Sequence, residues 1–195
     1  MRKLTLLFLG LASSAALAQE GIYVGIGVGS MDYSETTQSG LIPKVEDQVS
    51  AYKLYGGFEI NDHFAIEINY GETDDVMDSG SQFIPGLGTV TQSTTTELAT
   101  TVLRGIGQLS YEWGVLQGAI GFYSAEIDFL DTLMVNGSSG TIGGGFSDDG
   151  LSAMIGIEWR FGRFGTGFGV RLEYEWLDIS DIDAETIGLG IAYRF

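Results

Sequence analysis

The chain has no cysteine, two prolines and a single histidine in 195 residues, and only nine basic residues against 26 acidic ones. Past its first twenty residues it also lacks any unbroken apolar run of the ~18 residues that mark a membrane-spanning helix. Each absence excludes something. Without disulfides, an exported fold must be held by its backbone ladder or by a membrane. With His63 the only histidine, a zinc site is not expected. A Ser-His hydrolase needs a histidine held by an orienting partner; His63 sits in a polar turn, where Asp62 beside it reads as turn chemistry. No catalytic residue and no cofactor are expected. A formal charge of −17 argues against nucleic acid, which requires a basic stripe.

What the chain does have is glycine, 30 residues of it, and 44% hydrophobic residues laid out in alternation. Residues 1–18 read as a signal peptide: Arg2 and Lys3, an apolar run from Leu4 to Leu11, and Ala16-Leu17-Ala18 as the cleavage site. Loss of Arg2 and Lys3 takes the formal charge from −17 to −19. Residues 19–195 then form one domain, with no linker dividing them.

The final segment sets the pattern. Ile187, Leu189, Ile191, Tyr193 and Phe195 share one face; Gly188, Gly190, Ala192 and Arg194 share the other. Similar strands are expected over Gly21–Tyr33, Ser50–Ile60, from Phe64 to Gly71, over Val115–Glu126 and Leu151–Phe161, and from Phe168 to Trp176. Between Glu97 and Ser110 the two faces do not separate cleanly, and a β-bulge is expected to re-phase that strand. A soluble sandwich or lipocalin-like barrel also alternates, but its water-facing side would not need so many glycines. A narrow sealed interior would. The expected fold is all-β: an eight-stranded antiparallel up-and-down transmembrane β-barrel with apolar residues turned toward lipid.

The connections alternate in length. Asn61–His63, Ser110–Gly114 and Gly162–Gly165 are short; Ser34–Val49, Asp74–Thr96 and Phe129–Gly150 are long, polar and read as outer loops, with Asp178–Asp183 shorter. Most remaining acidic residues fall in these loops, where divalent cations are possible partners without any dedicated ligand spacing. Gly25-Ile26-Gly27-Val28-Gly29 lacks the third glycine and the strand-to-helix turn of a nucleotide loop. Asn136-Gly137-Ser138 fits a glycosylation sequon that carries little weight in this context.

The basic residues are the sharpest signal. Lys53, Arg104, Arg160, Arg171 and Arg194 lie within expected strands, and Glu59, Glu67, Glu158, Glu173 and Glu175 lie on the same inward phase. An Arg or Lys facing lipid at the midplane costs ~2–4 kcal/mol, so these ten are expected to pair in the lumen, as a structural plug or as the gate of a narrow conduit.

The run Lys53-Leu54-Tyr55-Gly56-Gly57-Phe58-Glu59-Ile60-Asn61-Asp62-His63-Phe64-Ala65-Ile66-Glu67-Ile68-Asn69-Tyr70-Gly71 resembles the second hairpin of the small outer-membrane β-barrel family, the OmpA-type transmembrane domain and its porin-like relatives. The ending Tyr193-Arg194-Phe195 resembles that family's C-terminal assembly signal. The resemblance implies the cell outer membrane of a Gram-negative bacterium, with lipid, lipopolysaccharide and the barrel-assembly machinery as partners and a monomeric state. Enzymes on such barrels use an essential histidine that a turn-tip His63 would hardly supply. The peptidoglycan-binding domain of full-length OmpA proteins, and cell-wall tethering with it, are not expected. Three roles remain open: structural or surface-loop work, a low-conductance porin for small solutes, and an adhesin acting through its outer loops.

Overall fold

The structure, a computed structural model, describes residues 21–35, 45–163, 166–179 and 182–195. The expected signal peptide therefore lies outside the described residues, as do parts of the Ser34–Val49, Gly162–Gly165 and Asp178–Asp183 connections. The described residues form nine antiparallel strands: β1 (Ile22–Glu35), β2 (Val45–Asn61), β3 (Phe64–Thr73), β4 (Val76–Ile84), β5 (Gly88–Tyr111), β6 (Gly114–Val135), β7 (Ser138–Arg163), β8 (Thr166–Ile179) and β9 (Ile182–Arg194). Eight close a ring: β1 pairs with both β2 and β9, and β3 pairs with β5. β4 stands outside the ring, on the outer half of β5.

The alternation read in the sequence becomes an inside and an outside. Ile120 is 77% exposed and Ile187 58%, while Arg104 is 2%, Arg171 1% and Glu67 0% exposed. This inverts a water-soluble protein and matches a barrel wall facing hydrocarbon. At the short-turn end, Asn61 Oδ1 accepts the amide hydrogens of His63 (2.8 Å) and Phe64 (3.0 Å), closing an Asx turn between β2 and β3. Tyr111 stacks on Trp113 at 5.5 Å in the next turn, and Phe168, Tyr193 and Phe195 form an edge-to-face chain. Aromatic residues at this level form an interfacial girdle.

Two expectations are corrected. The strand expected between Glu97 and Ser110 carries no bulge: β5 pairs with β6 without a register shift from Val90↔Val135 to Tyr111↔Gly114. Its inward phase is Leu98, Thr100, Val102, Arg104 and Ile106, all buried. The faces looked mixed because the inward one is largely apolar.

The second correction concerns the long connections. Asp74–Thr96 and Phe129–Gly150 are largely strand, not loop. β5, β6 and β7 run for 24, 22 and 26 residues, against the ~9–11 needed to cross a bilayer. Their outer ends join β4 in a four-stranded sheet that leaves the barrel on one side, while β1, β8 and β9 stop after 14, 14 and 13 residues. From Ile127 to Val135, β6 alone extends roughly 30 Å at ~3.4 Å per residue. β4 continues the path of β3 with one residue gained: Glu72 pairs with Ala99, but Val76 pairs with Thr96. The extra residue falls at Asp74-Asp75, where the Asp74 amide still donates to Ser50 O of β2 (2.8 Å) before β4 departs.

Candidate functional site

The short-turn half of the lumen is ionic. Period-two geometry turns Lys53, Tyr55 and Glu59 of β2, Glu67 and Asn69 of β3, Arg104 of β5, Glu158 and Arg160 of β7, Arg171, Glu173 and Glu175 of β8 and Arg194 of β9 to the inside. Glu67 is the hub. Its Oε1 accepts from Arg104 Nη2 (2.5 Å) and Nε (3.0 Å), and its Oε2 from Arg171 Nη1 (2.7 Å) and the Tyr23 hydroxyl (2.9 Å). Arg104 reaches on to Glu175 (3.0 Å) and Glu173 (3.5 Å), which both pair with Lys53. Nearer the short turns, Arg194 grips Glu158 through both Nη atoms at 2.6 Å and reaches Glu59 at 3.3 Å; Arg160 bonds Glu59 at 2.8 Å and Gln108 at 2.9 Å. Gln117 Nε2 also donates to Glu158 (2.9 Å).

Five cations thus face five carboxylates, and this ionic layer carries no net charge. Charges this buried persist only when paired, and removing one partner strands the other. The structure brings together all ten charged residues singled out in the sequence. It adds four that the alternation alone did not single out: Tyr23, Tyr55, Gln108 and Gln117. Arg171 lies 4.6 Å from the Tyr55 ring centre and 5.8 Å from that of Tyr23, and Arg194 lies 5.2 Å from Tyr23. Both tyrosines fit across the lumen wall only because glycine sits opposite. A Cβ on Gly57 would come within 2.4 Å of Tyr23, and one on Gly25 within 2.3 Å of Tyr55.

The outer half of the lumen is different. Met31, Val49, Val76, Leu98, Val102, Ile127, Leu177 and Ile179 pack into one buried apolar cluster. Tyr123 caps it, donating to Asp178 O at 2.5 Å and approaching Asp148 Oδ2 at 3.1 Å. Between the two layers lies a cavity of about 40 Å³, with Lys53, Asn69 and Glu175 on one side and Leu98 and Leu177 on the other. It has room for a few water molecules.

Above the rim, the projecting sheet exposes apolar groups on both faces. Phe146 and Ile142, the latter 71% exposed, continue the lumen phase; Met77, Phe83, Leu130 and Met134 continue the lipid phase. Its two margins are open: β4 pairs only with β5, and β7 meets β8 only from Ser152 onward, among the described residues. At the level where this sheet leaves the barrel, Asp32, Glu97, Glu126, Asp128, Asp149 and Asp178 all sit exposed on strands. Asp149 and Asp178, expected in connections, thus sit on strands, in one band with Asp32, Glu97, Glu126 and Asp128. Among the described residues no group of three or more His, Asp or Glu side chains is arranged to hold a metal ion.

A family model described as the outer membrane protein beta-barrel domain matches residues 4–195. Among solved structures, the attachment invasion locus protein Ail of Yersinia pestis aligns with TM-score 0.53 at 17% identity, covering 91% of this chain and all of that one. Neisserial surface protein A aligns with TM-score 0.56 at 12% identity, over 90% and 97% of the two chains. OprG of Pseudomonas aeruginosa aligns with TM-score 0.53 at 10% identity, over 91% and 97%. At such identities the likeness speaks to fold alone. No curated protein matches the chain in sequence. The family model spans the whole barrel, and the inverted wall is what that family requires: this chain belongs to the outer membrane protein beta-barrel domain family and resides in the cell outer membrane.

Proposed function

We propose that this protein is a closed barrel whose work is done outside the membrane, by the sheet built from β4 and the outer parts of β5, β6 and β7. The observation that carries this reading is the sheet itself: a four-stranded platform with exposed apolar side chains, whose margins, among the described residues, pair with no further strand. Exposed apolar patches and unpaired strand edges are costly to keep unless something binds them. An extended segment of a partner adding to a margin, with apolar side chains resting on the sheet, is the mode the geometry favours.

Charge narrows the partner. The projecting segments 74–98 and 127–150 contain Asp and Glu but no Lys or Arg. Ail has been solved with the heparin analogue sucrose octasulfate; an acidic platform like this one repels such a polyanion, so a neutral or basic protein surface is the better candidate. The test replaces residues 129–146 with a short Asn-Gly turn. Cells carrying the shortened protein should lose attachment to host-cell or matrix-protein surfaces while the barrel keeps its heat-modifiable mobility. Undiminished attachment would remove the adhesive reading and leave a structural role.

The runner-up is a low-conductance porin for small solutes, supported by the ionic layer. The apolar cluster above that layer favours the closed form, because ions would have to cross a dry constriction. Reproducible channels in planar bilayers that change with Arg160→Ala or Arg171→Ala would promote the porin. The remaining proposals follow the sequence: export by residues 1–18, no catalytic activity, a monomeric barrel, Tyr193 and Phe195 read by the assembly machinery, and the acidic band meeting lipopolysaccharide through divalent cations.

A further inference from the structure

Glycines in this wall are of two kinds. Gly25 and Gly57 turn inward and make room for tyrosines. Gly105 and Gly107 of β5 and Gly118 of β6 have the opposite phase: they alternate with the buried Arg104, Ile106, Gln108, Gln117 and Ala119, and so face hydrocarbon. A Cβ on Gly105 or Gly118 would meet nothing within 4 Å, and one on Gly107 only the Gly118 carbonyl at 3.7 Å. None of the three has positive φ. The fold does not require glycine at these positions, and glycine weakens a strand interior.

Their register gives them a shape. Gly107 pairs directly with Gly118, and the same row holds Phe64 on β3 and Ile155 on β7. The next row reads Ile66, Gly105, Ile120, Ala153. Three strand spacings put Phe64 and Ile155 about 14 Å apart, with bare backbone between them. The result is a trough in the lipid face, seen as two overlapping hollows of about 800 and 920 Å³ that share Phe64, Gly107, Gly118 and Ile155. At His63 and Leu109 it meets a polar crevice at the short-turn mouth, lined by Glu59, Asp62, Ser110, Tyr111 and Arg160. In that crevice the Arg160 guanidinium, engaged through Nη2 with Glu59 and Gln108, and the His63 imidazole stand beside the carboxylates of Glu59 and Asp62.

We propose that this trough and crevice are a binding site for one diacyl phospholipid of the periplasmic leaflet with a zwitterionic headgroup. An acyl chain lies along the glycine floor, where it approaches the backbone more closely than side chains elsewhere permit and gains dispersion contacts over its length. The headgroup reaches the crevice, its phosphate toward Arg160 and His63 and its ammonium toward Asp62 and Glu59. The mixed charge of the crevice selects a zwitterionic lipid over an anionic one, because Asp62 and Glu59 repel a second negative group. The site is independent of the outward sheet and of any partner it binds.

The test compares wild-type protein with the Gly107→Leu/Gly118→Leu double variant, both exchanged into mild detergent from the same membranes. Native mass spectrometry counts bound phospholipid per barrel. Wild type should retain about one phosphatidylethanolamine, and the double variant should retain about tenfold less while keeping heat-modifiable mobility. Gly118→Ala, whose Cβ enters open space, gives an intermediate loss and stands in should the double variant fail to fold. Asp62→Asn should leave the lipid bound but reduce the preference for phosphatidylethanolamine over phosphatidylglycerol. Equal retention in wild type and variants, or none in wild type, overturns the site. So does a wild-type dimer that the double variant abolishes, since a second barrel would then occupy the trough.

Discussion

β5, β6 and β7 each pass through two environments, and the contrast between their halves is instructive. Inside the barrel every strand has two neighbours, its outward side chains meet lipid, and its inward ones meet a lumen that must be filled. Outside, the same strands continue with unbroken pairing, yet the sheet has margins and exposes side chains of both phases. Backbone pairing therefore does not depend on the membrane, whereas the assignment of faces does. In the barrel a carboxylate on the lipid side would be ruinous; a few residues further on, Glu126 and Asp128 occupy the same phase of β6 and are exposed.

Perturbations on either side of the rim should differ accordingly. The largest effect belongs to Glu67. Glu67→Ala takes from Arg171 its hydrogen-bonded carboxylate, leaving Glu173 at 3.8 Å, and leaves Arg104 with Glu175 and Glu173 alone. It leaves the buried layer one positive charge in excess and should cost about 3–5 kcal/mol, read as a lower urea midpoint for unfolding from lipid bilayers. A midpoint unchanged from wild type would mean that water hydrates the layer. Leu98→Ala, in the apolar half of the lumen, should cost about 2–4 kcal/mol and should also raise ionic leak in planar bilayers, because it thins the constriction above the cavity. Stability loss without leak would place the barrier elsewhere.

Filling a glycine slot comes next. Gly57→Val drives a side chain into the Tyr23 ring and should cost about 1–3 kcal/mol; the paired change Gly57→Val with Tyr23→Ala should recover part of it in a double-mutant cycle. The smallest expected effect lies outside the membrane. Asn136 and Gly137, at φ 50° and 82°, form the turn between β6 and β7. Gly137→Ala should cost about 1 kcal/mol, confined to that hairpin. Limited proteolysis near residue 136 should quicken while the barrel midpoint stays in place. A shift of the barrel midpoint would show that the sheet and the barrel unfold as one unit.

Much of this was legible in the chain, and the parts that were not share a cause. Strands with a uniformly apolar outer side, such as β9 with Ile187, Leu189 and Ile191, announce their faces. β5 did not, because Leu98, Val102 and Ile106 make its inward side apolar while Thr101 and Gly105 dilute its outward side. The projecting strands were read as loops because serine, threonine, glycine and aspartate are scattered over both of their faces. Two turn signals could have exposed them. Asn136-Gly137 is a two-residue hairpin turn, placed between the paired Val135 and Ser138. Pro85-Gly86 closes the β4–β5 hairpin, with Gly86 at φ 89° and the Leu87 amide donating to Ile84 O at 3.0 Å.

Outside β5, the sequence by itself determined which side chains turn inward, because a strand alternates with a period of two whatever surrounds it. Together with the cost of an arginine facing lipid, that was enough to place ten charges in the lumen. It could not say which of them meet: Lys53 and Glu175 are 122 residues apart and touch only because the ring closes at a particular stagger. The division of the lumen into an ionic and an apolar half, the sheet that continues past the rim, and the hollow over Gly107 and Gly118 were likewise decided in three dimensions. Each depends on which residues of neighbouring strands come level, and register between distant segments is a property of the closed barrel rather than of any one strand.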